Sequence, residues 1–183
     1  MEVLKQVMKA AVFAAKRHQY QRRSGYDKLP YINHLLKVAD ALIQIGEEED
    51  EILLVAAVLH DIIEDTATTA EELAREFNKE VADIVVELTD DMSLAHEVRK
   101  QLQIDRALSL STRARKIRLA DKASNMIDIF TYPIDWPLQK KINYVNNSEA
   151  VYKLIRGENT KIDEWMAQTI SWARGMINEK NEA

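Results

Sequence analysis

Residues 52–65 read Ile52-Leu-Leu-Val-Ala-Ala-Val-Leu-His60-Asp61-Ile-Ile-Glu64-Asp65. The first part of this stretch has no polar side, so a helix built from it is apolar all round and belongs in the centre of a fold. It is far too short for a membrane span, which needs roughly 18 apolar residues. The acidic residues 47–51 precede it and suit a helical first turn, where the dipole favours negative charge. The same helix then carries His60 and Asp61 inward, with apolar residues on both sides. A buried carboxylate without a partner costs several kcal/mol, so it must be paired, protonated or bound to a metal. At helical spacing His60 shares a face with Glu64, and Asp61 with Asp65. One helix end thus presents an imidazole and three carboxylates, which repel one another unless a cation or hydrogen-bond donors sit among them. A divalent metal meets that need. Imidazole and carboxylate without thiolate suit Mn, Fe, Zn or Co.

The rest of the chain supports a helical reading. It holds 4 Gly and 3 Pro in 183 residues, and neither occurs between Gly46 and Pro133. Sandwiches and barrels need a turn every 8–12 residues or so, and turns lean on those two residue types. An all-β fold is therefore excluded, and so is a Gly-rich phosphate loop. With no Cys in the chain, disulfides, thiolate metal sites and a Cys nucleophile fall away together. The opening Met-Glu-Val-Leu-Lys carries no secretory signal. The expectation is a soluble, cytoplasmic, all-α chain of one domain without a membrane partner. A net charge of −5 argues against a nucleic-acid partner, since that role is usually carried by a basic surface. Two basic clusters stand out nonetheless: Lys16, Arg17, Arg22, Arg23 and Lys28, then Arg113, Arg115, Lys116, Arg118 and Lys122. They read either as solvated helix faces or as a place for a small anion.

Periodicity divides the chain into helices. Leu4, Met8, Ala11, Val12 and Ala15 form an apolar stripe that His18 continues, predicting a first helix packed on that face. Residues 21–30, with Gly25, Asp27 and two Arg, predict a loop. Pro30 opens a second helix whose apolar face is Ile32, Leu35, Leu36 and Ala39, closing near Gly46. Thr69-Ala-Glu-Glu72 has the capping-box pattern and starts a helix ending near Phe77. Further helices are expected over 81–88, 94–108, 111–129, 138–156 and 161 to about 177. Pro133 and Pro137 mark a loop around Trp136.

Two other segments carry polar residues on apolar helix faces. His34 lies in Pro30-Tyr-Ile-Asn-His34-Leu-Leu-Lys-Val-Ala39, and a lone His there reads as a core histidine as readily as a ligand. Asp121 lies among Ile117, Leu119 and Ala120, with Asn125 one turn on. Its plain reading is a salt bridge to a nearby Arg.

Taken together, the pattern His…His-Asp…Asp on three separate helices resembles the HD-domain phosphohydrolases. Within them it resembles the RelA/SpoT-type alarmone hydrolases, and most of all their small stand-alone branch. The resemblance rests on Ala14-Ala-Lys-Arg-His-Gln-Tyr-Gln-Arg-Arg23, Pro30-Tyr-Ile-Asn-His34, Ala57-Val-Leu-His-Asp-Ile-Ile-Glu-Asp-Thr66, Leu88-Thr-Asp-Asp91 and Leu119-Ala-Asp-Lys-Ala-Ser-Asn125. These segments stand in family order over roughly residues 8–160. It implies a single HD-domain helical bundle over 1–183, with no synthetase half. It also implies one divalent metal, usually Mn²⁺, held by His34, His60, Asp61 and Asp121, with Glu64 and Asp65 as the catalytic pair that orients and deprotonates the attacking water. The implied reaction removes pyrophosphate from the 3′ position of ppGpp or pppGpp, returning GDP or GTP. A small-molecule nucleotide is then the partner, and the basic clusters gain a purpose.

The resemblance also implies substrate contacts. Arg23 falls where the family stacks a guanidinium on the purine base, and Ser24 takes a place that is often Lys. Asn125 matches a residue near the ribose. Lys140 and Tyr144, after the Trp136 loop, match a basic residue and a Tyr on the nucleotide, although helix surface and core packing are their plain readings. His18 reads as structural, and His96 as outside the chemistry. Leu35 stands where a Pro is usual. Asn78 stands where a Gly is usual and is expected to supply the same left-handed conformation. Two alternatives stay open. One is a related nucleotide, an adenosine alarmone or the 2′-phosphate of NADPH, with Ser24 and the Trp136 loop as the places where such a switch shows. The other is a non-catalytic nucleotide sensor, against which the Glu64-Asp65 pair argues.

Overall fold

The computed structural model describes residues 1–25 and 28–181; Asp27 of the expected 21–30 loop lies outside them. The chain runs α1 (Glu2–Arg17), α2 (Ile32–Gln44), α3 (Glu51–Leu59), the single turn α4 (Ile62–Asp65), α5 (Ala70–Glu76) and α6 (Lys79–Leu88). It continues through α7 (His96–Asp105), a 3₁₀ turn (Ala107–Ser109), α8 (Thr112–Thr131), α9 (Leu138–Ile155) and α10 (Thr160–Asn181). No strand occurs among the described residues, only an isolated bridge between Arg22 and Pro30. The all-α expectation holds. None of the described helices is long and apolar enough to cross a membrane.

Every residue of α3 from Leu53 to Leu59 is buried, with α1, α2, α6 and α8 packed around it. Each fully buried Leu contributes about 1.5–3 kcal/mol through removal from water, so this helix anchors one contiguous apolar cluster. Its start is set by Asp50, whose side chain caps the Leu53 N–H at 3.2 Å. Its end departs from the expected straight helix. Asp61 sits at φ −99°, ψ 2°, outside the helical region, so the chain turns at His60–Asp61 before α4 begins. Glu64 is thereby swung off the His60 face and reaches the loop after α6.

The first helix corrects the reading of its stripe. Leu4, Met8 and Val12 are exposed (65%, 54% and 67%), whereas Ala10 and Ala14 are fully buried. The helix has two apolar faces, and the one with alanines packs on α3, with Val3, Val7 and Phe13 at its edges. Hydrophobic periodicity alone does not tell a large exposed face from a small buried one. Asn78 is corrected too. It is extended, at φ −169°, and caps α6 by accepting from the Val81 N–H, so a polar cap replaces the expected left-handed turn. In the second basic cluster, Arg113 pairs with Asp50 and Glu80, Arg115 with Glu158, and Lys116 with Glu48. Those three tie helices together, and only Arg118 and Lys122 of that cluster reach the cavity described next.

Candidate active site

Three helices deliver four polar side chains to one buried point. His34 comes from the first turn of α2, His60 and Asp61 from the turn closing α3, and Asp121 from the middle of α8. His34 and His60 are 1% and 3% exposed. His34 Nε2 lies 3.1 Å from Asp121 Oδ1 and 3.8 Å from Asp61 Oδ2. His60 Nε2 lies 3.2 Å from Asp61 Oδ2 and 3.6 Å from Asp121 Oδ1. Neither Nε2 atom has a hydrogen-bond partner. His60 Nδ1 faces the Ala57 carbonyl at 2.8 Å. A carbonyl only accepts, so Nδ1 carries a proton, and Nε2 is the nitrogen left to hold either a second proton or a cation against the carboxylates. Two unpartnered imidazole nitrogens aimed at two carboxylates form a donor set that fits a divalent cation. The ligand atoms of His34, His60 and Asp121 lie within 4.8 Å of one another, and Asp61 adjoins them through the oxygen facing both imidazoles.

Charge balance points the same way. Burial opposes charge on His60, but Asp61 and Asp121 outweigh it and raise its pKa well above the ordinary value. Burial lowers that of His34, aided by Arg23 and His60. Asp61 and Asp121, though buried, are held below the usual carboxylate range by the imidazoles. The pocket demands positive charge, as a proton or as a metal ion.

Glu64 and Asp65 flank this point in different environments. Burial pushes Glu64 up to about 7, with Asp61, Asp90 and Asp65 adding to the shift against the Asp90 N–H, which donates to Oε2 at 2.9 Å. Arg99 comes within 3.9 Å of its other oxygen. Asp65 accepts from Gln21 Nε2 at 2.9 Å, and Gln21 in turn meets His18 Nδ1 at 2.6 Å. The buried His18 thus has the structural place expected of it.

A cavity of about 540 Å³ opens over these groups and is lined by all five expected substrate residues, Arg23, Ser24, Asn125, Lys140 and Tyr144. Arg23 donates to Asn125 Oδ1 at 2.5 Å, and Asn125 Nδ2 donates to Asp121 Oδ1 at 2.6 Å. One amide therefore links the Arg23 end of the cavity to the imidazole cluster. Lys140 Nζ lies 3.9 Å from the Trp136 ring centroid, and Tyr144 packs against the same indole at 6.3 Å.

Several lining residues were not singled out from sequence. Tyr31 donates its hydroxyl to Asp61 Oδ2 at 2.7 Å. It lies three residues before His34, but a Tyr at a helix start carries no signal of its own. Helix α7 has no buried residue, yet His96, Arg99, Lys100 and Gln103 form one stripe along the cavity. Gln103 donates to Asp90 at 2.8 Å and accepts from Lys122 at 3.0 Å, while Lys122 also donates to Asn147 at 2.8 Å. Lys122 is 2% exposed, and burial, together with Arg118 and Lys100, lowers its pKa to about 7. The 3.5-residue spacing of the α7 stripe was the one signal available, and His96 within it lies at the cavity rim.

Comparison with known proteins matches these observations. Residues 10–153 match the model of an HD domain. The guanosine-3′,5′-bis(diphosphate) 3′-pyrophosphohydrolase MESH1 of Xenopus tropicalis is 41% identical over 158 residues, 86% of this chain and 88% of that protein. The MESH1 of Homo sapiens is 38% identical over 160 residues, 87% and 89% of the two chains. A solved structure of a metazoan SpoT orthologue, described as hydrolysing ppGpp and acting in starvation responses, superposes with a TM-score of 0.88 at 34% identity, covering 93% of this chain and 96% of that one. With the His34, His60, Asp61 and Asp121 cluster at the meeting of α2, α3 and α8, the chain belongs to the HD-domain family, beside the small stand-alone MESH1 hydrolases.

Proposed function

We propose that this chain is a single-domain, Mn²⁺-dependent hydrolase that removes the 3′-pyrophosphate of ppGpp or pppGpp, giving GDP or GTP and pyrophosphate. The observation that carries the reading is the pair of buried, unpartnered imidazole nitrogens facing two carboxylates, with a carboxyl poised near neutral one turn away. The activity named for its MESH1 relatives supports the substrate.

His34, His60, Asp61 and Asp121 would hold the cation. When bound, it supplies Lewis-acid chemistry, acidifying water and polarising a phosphoryl oxygen. Tyr31 fixes Asp61 and the Ala57 carbonyl fixes His60, so both side chains keep one orientation. Water adds to the phosphorus attached to O3′, the O3′–P bond breaks, and the products are a 3′-hydroxyl and pyrophosphate. Glu64 takes the proton of that water and gives it up again to the departing O3′, which completes the hydroxyl. Burial raises its pKa above the usual carboxylate range, to about 7 before a cation binds, which makes it a stronger base than an exposed Glu. Asp65, steadied by Gln21, orients the same water. Arg23 stacks on the purine, Asn125 sits by the ribose, and Ser24, Lys140 and Tyr144 line the nucleotide's path.

The test is product analysis with ppGpp and Mn²⁺. Stoichiometric pyrophosphate and GDP are expected. Release of orthophosphate, or no turnover by metal-loaded protein, overturns the reading.

A further inference from the structure

At the Arg23 end of the cavity sits a charged pair with no part in the proposed reaction. Lys37, one turn beyond His34 on α2, donates to Asp128 Oδ1 at 2.9 Å. Asp128, one turn beyond Asn125 on α8, is 6% exposed. Its other oxygen accepts from Arg23 at 3.2 Å. One guanidinium already neutralises that carboxylate, and a charge-assisted contact of this kind satisfies burial. Lys37 is surplus to that need and its side chain is 44% exposed. The result is an ammonium donor beside a carboxylate acceptor, both on the cavity wall.

The neighbouring surface suits a flat ligand. The Arg23 guanidinium lies 5.4 Å from the Tyr31 ring centroid, and Tyr31 stacks on His18 at 5.1 Å with 19° between planes. On the function proposed above, on which this inference rests, that ligand is a purine. Guanine presents an acceptor, O6, beside the donor N1–H; adenine presents a donor, N6–H₂, beside the acceptor N1. A cation next to a carboxylate matches the first order and opposes the second. We propose that Lys37 and Asp128 read the base, Lys37 donating to guanine O6 and Asp128 accepting from N1–H, and thereby set a preference for guanosine over adenosine substrates. A base of the wrong order sets its N6–H₂ donor against the ammonium and its N1 lone pair against the carboxylate, so it gains neither hydrogen bond and meets like poles, which is how polar sites reject analogues.

The test compares GDP with ADP binding by calorimetry, and ppGpp with ppApp turnover, in metal-loaded wild type, Lys37→Met and Asp128→Asn. Wild type is expected to bind GDP at least about tenfold more tightly than ADP. Lys37→Met lowers GDP binding and kcat/KM for ppGpp between about fivefold and a hundredfold, leaving ADP and ppApp within about twofold. Asp128→Asn abolishes the preference, and because the readout is a ratio between bases, general loss of stability does not imitate it. Equal losses for both bases, or a wild type that binds GDP and ADP alike, overturn the proposal. GDP binding needs no turnover. A wild type that prefers GDP yet releases no pyrophosphate therefore sinks the hydrolase reading and leaves base reading standing.

Discussion

The floor of the cavity and its α7 wall are both lined by polar side chains, but they are built in opposite ways. On the floor, His34, His60, Asp61 and Asp121 project from helices that each bury a run of core residues, so packing of those helices sets their positions. On the wall, His96, Arg99, Lys100 and Gln103 project from a helix with no buried residue, held by hydrogen bonds from Gln103 and from Asn147 Nδ2 to the Lys100 carbonyl. On the proposed function, the floor carries the chemistry and the wall the contacts to substrate. Substitutions at the floor should therefore act on metal and turnover, and those at the wall on affinity.

The largest effect is expected from Asp121→Asn, which halves the carboxylate charge of the floor. Metal content after dialysis should fall to background and turnover by about a thousandfold or more, since several kcal/mol of charge stabilisation go with the cation. Full metal occupancy with unchanged turnover would remove Asp121 from the site. Glu64→Gln comes next. It should keep the metal and lose about 10²–10⁴ in kcat, the usual worth of a general base. In the wild type the rate should fall as pH drops into the acid range, because protonating Glu64 removes the base. A bound cation pulls its pKa below the value of about 7 set by burial. An acid limb that persists unchanged in a Glu64→Gln variant with residual activity would assign that limb to another group.

The same contrast governs what could be read from the sequence. His60 and Asp61 were legible because they interrupt a run of eight apolar residues, 52–59, and Asp121 because Ile117, Leu119 and Ala120 surround it. A polar residue where burial is otherwise complete has few explanations. The wall was illegible for the converse reason: a Lys or Gln on a polar helix has no contrast with its neighbours. Tyr31 and Lys37 flank His34, but ordinary residue types say nothing of the carboxylates they meet from residues 61 and 128. The kink at Asp61 escaped as well, since periodicity continued through it, and it is the kink that sends Glu64 to Asp90.

Tyr31 tests whether the floor needs its supports. Tyr31→Phe keeps the ring on His18 and removes only the hydroxyl bonded to Asp61. Metal affinity should weaken about 10- to 100-fold, as for other groups that orient a ligand. Wild-type affinity in this variant would mean that packing alone orients Asp61. Protonation gives a gentler probe. The pKa of His60 is raised well above its ordinary value in the metal-free protein, and a metal ion requires the neutral ring. Below that raised pKa each ion bound should displace a proton, so affinity falls about tenfold per pH unit as pH drops. Calorimetry in buffers of different ionisation enthalpy reads the proton count directly, and a count of zero at neutral pH would contradict the charge state argued for His60.

The smallest effect belongs to Lys140, and its size follows from a competition. Its ammonium rests 3.9 Å from the Trp136 ring centroid, a contact worth about 0.5–1 kcal/mol at an exposed site. To meet a phosphate it must leave the indole, and an exposed ion pair returns only about 0.2–1 kcal/mol. The two nearly cancel. Lys140→Met, which keeps the stem against Trp136 and deletes the charge, should raise KM by no more than about two- to fivefold, leave kcat unchanged and make KM less sensitive to salt. A fall in kcat would place Lys140 at the reacting phosphate, and the division between a chemical floor and binding contacts on the helices around it would then fail at this α9 residue.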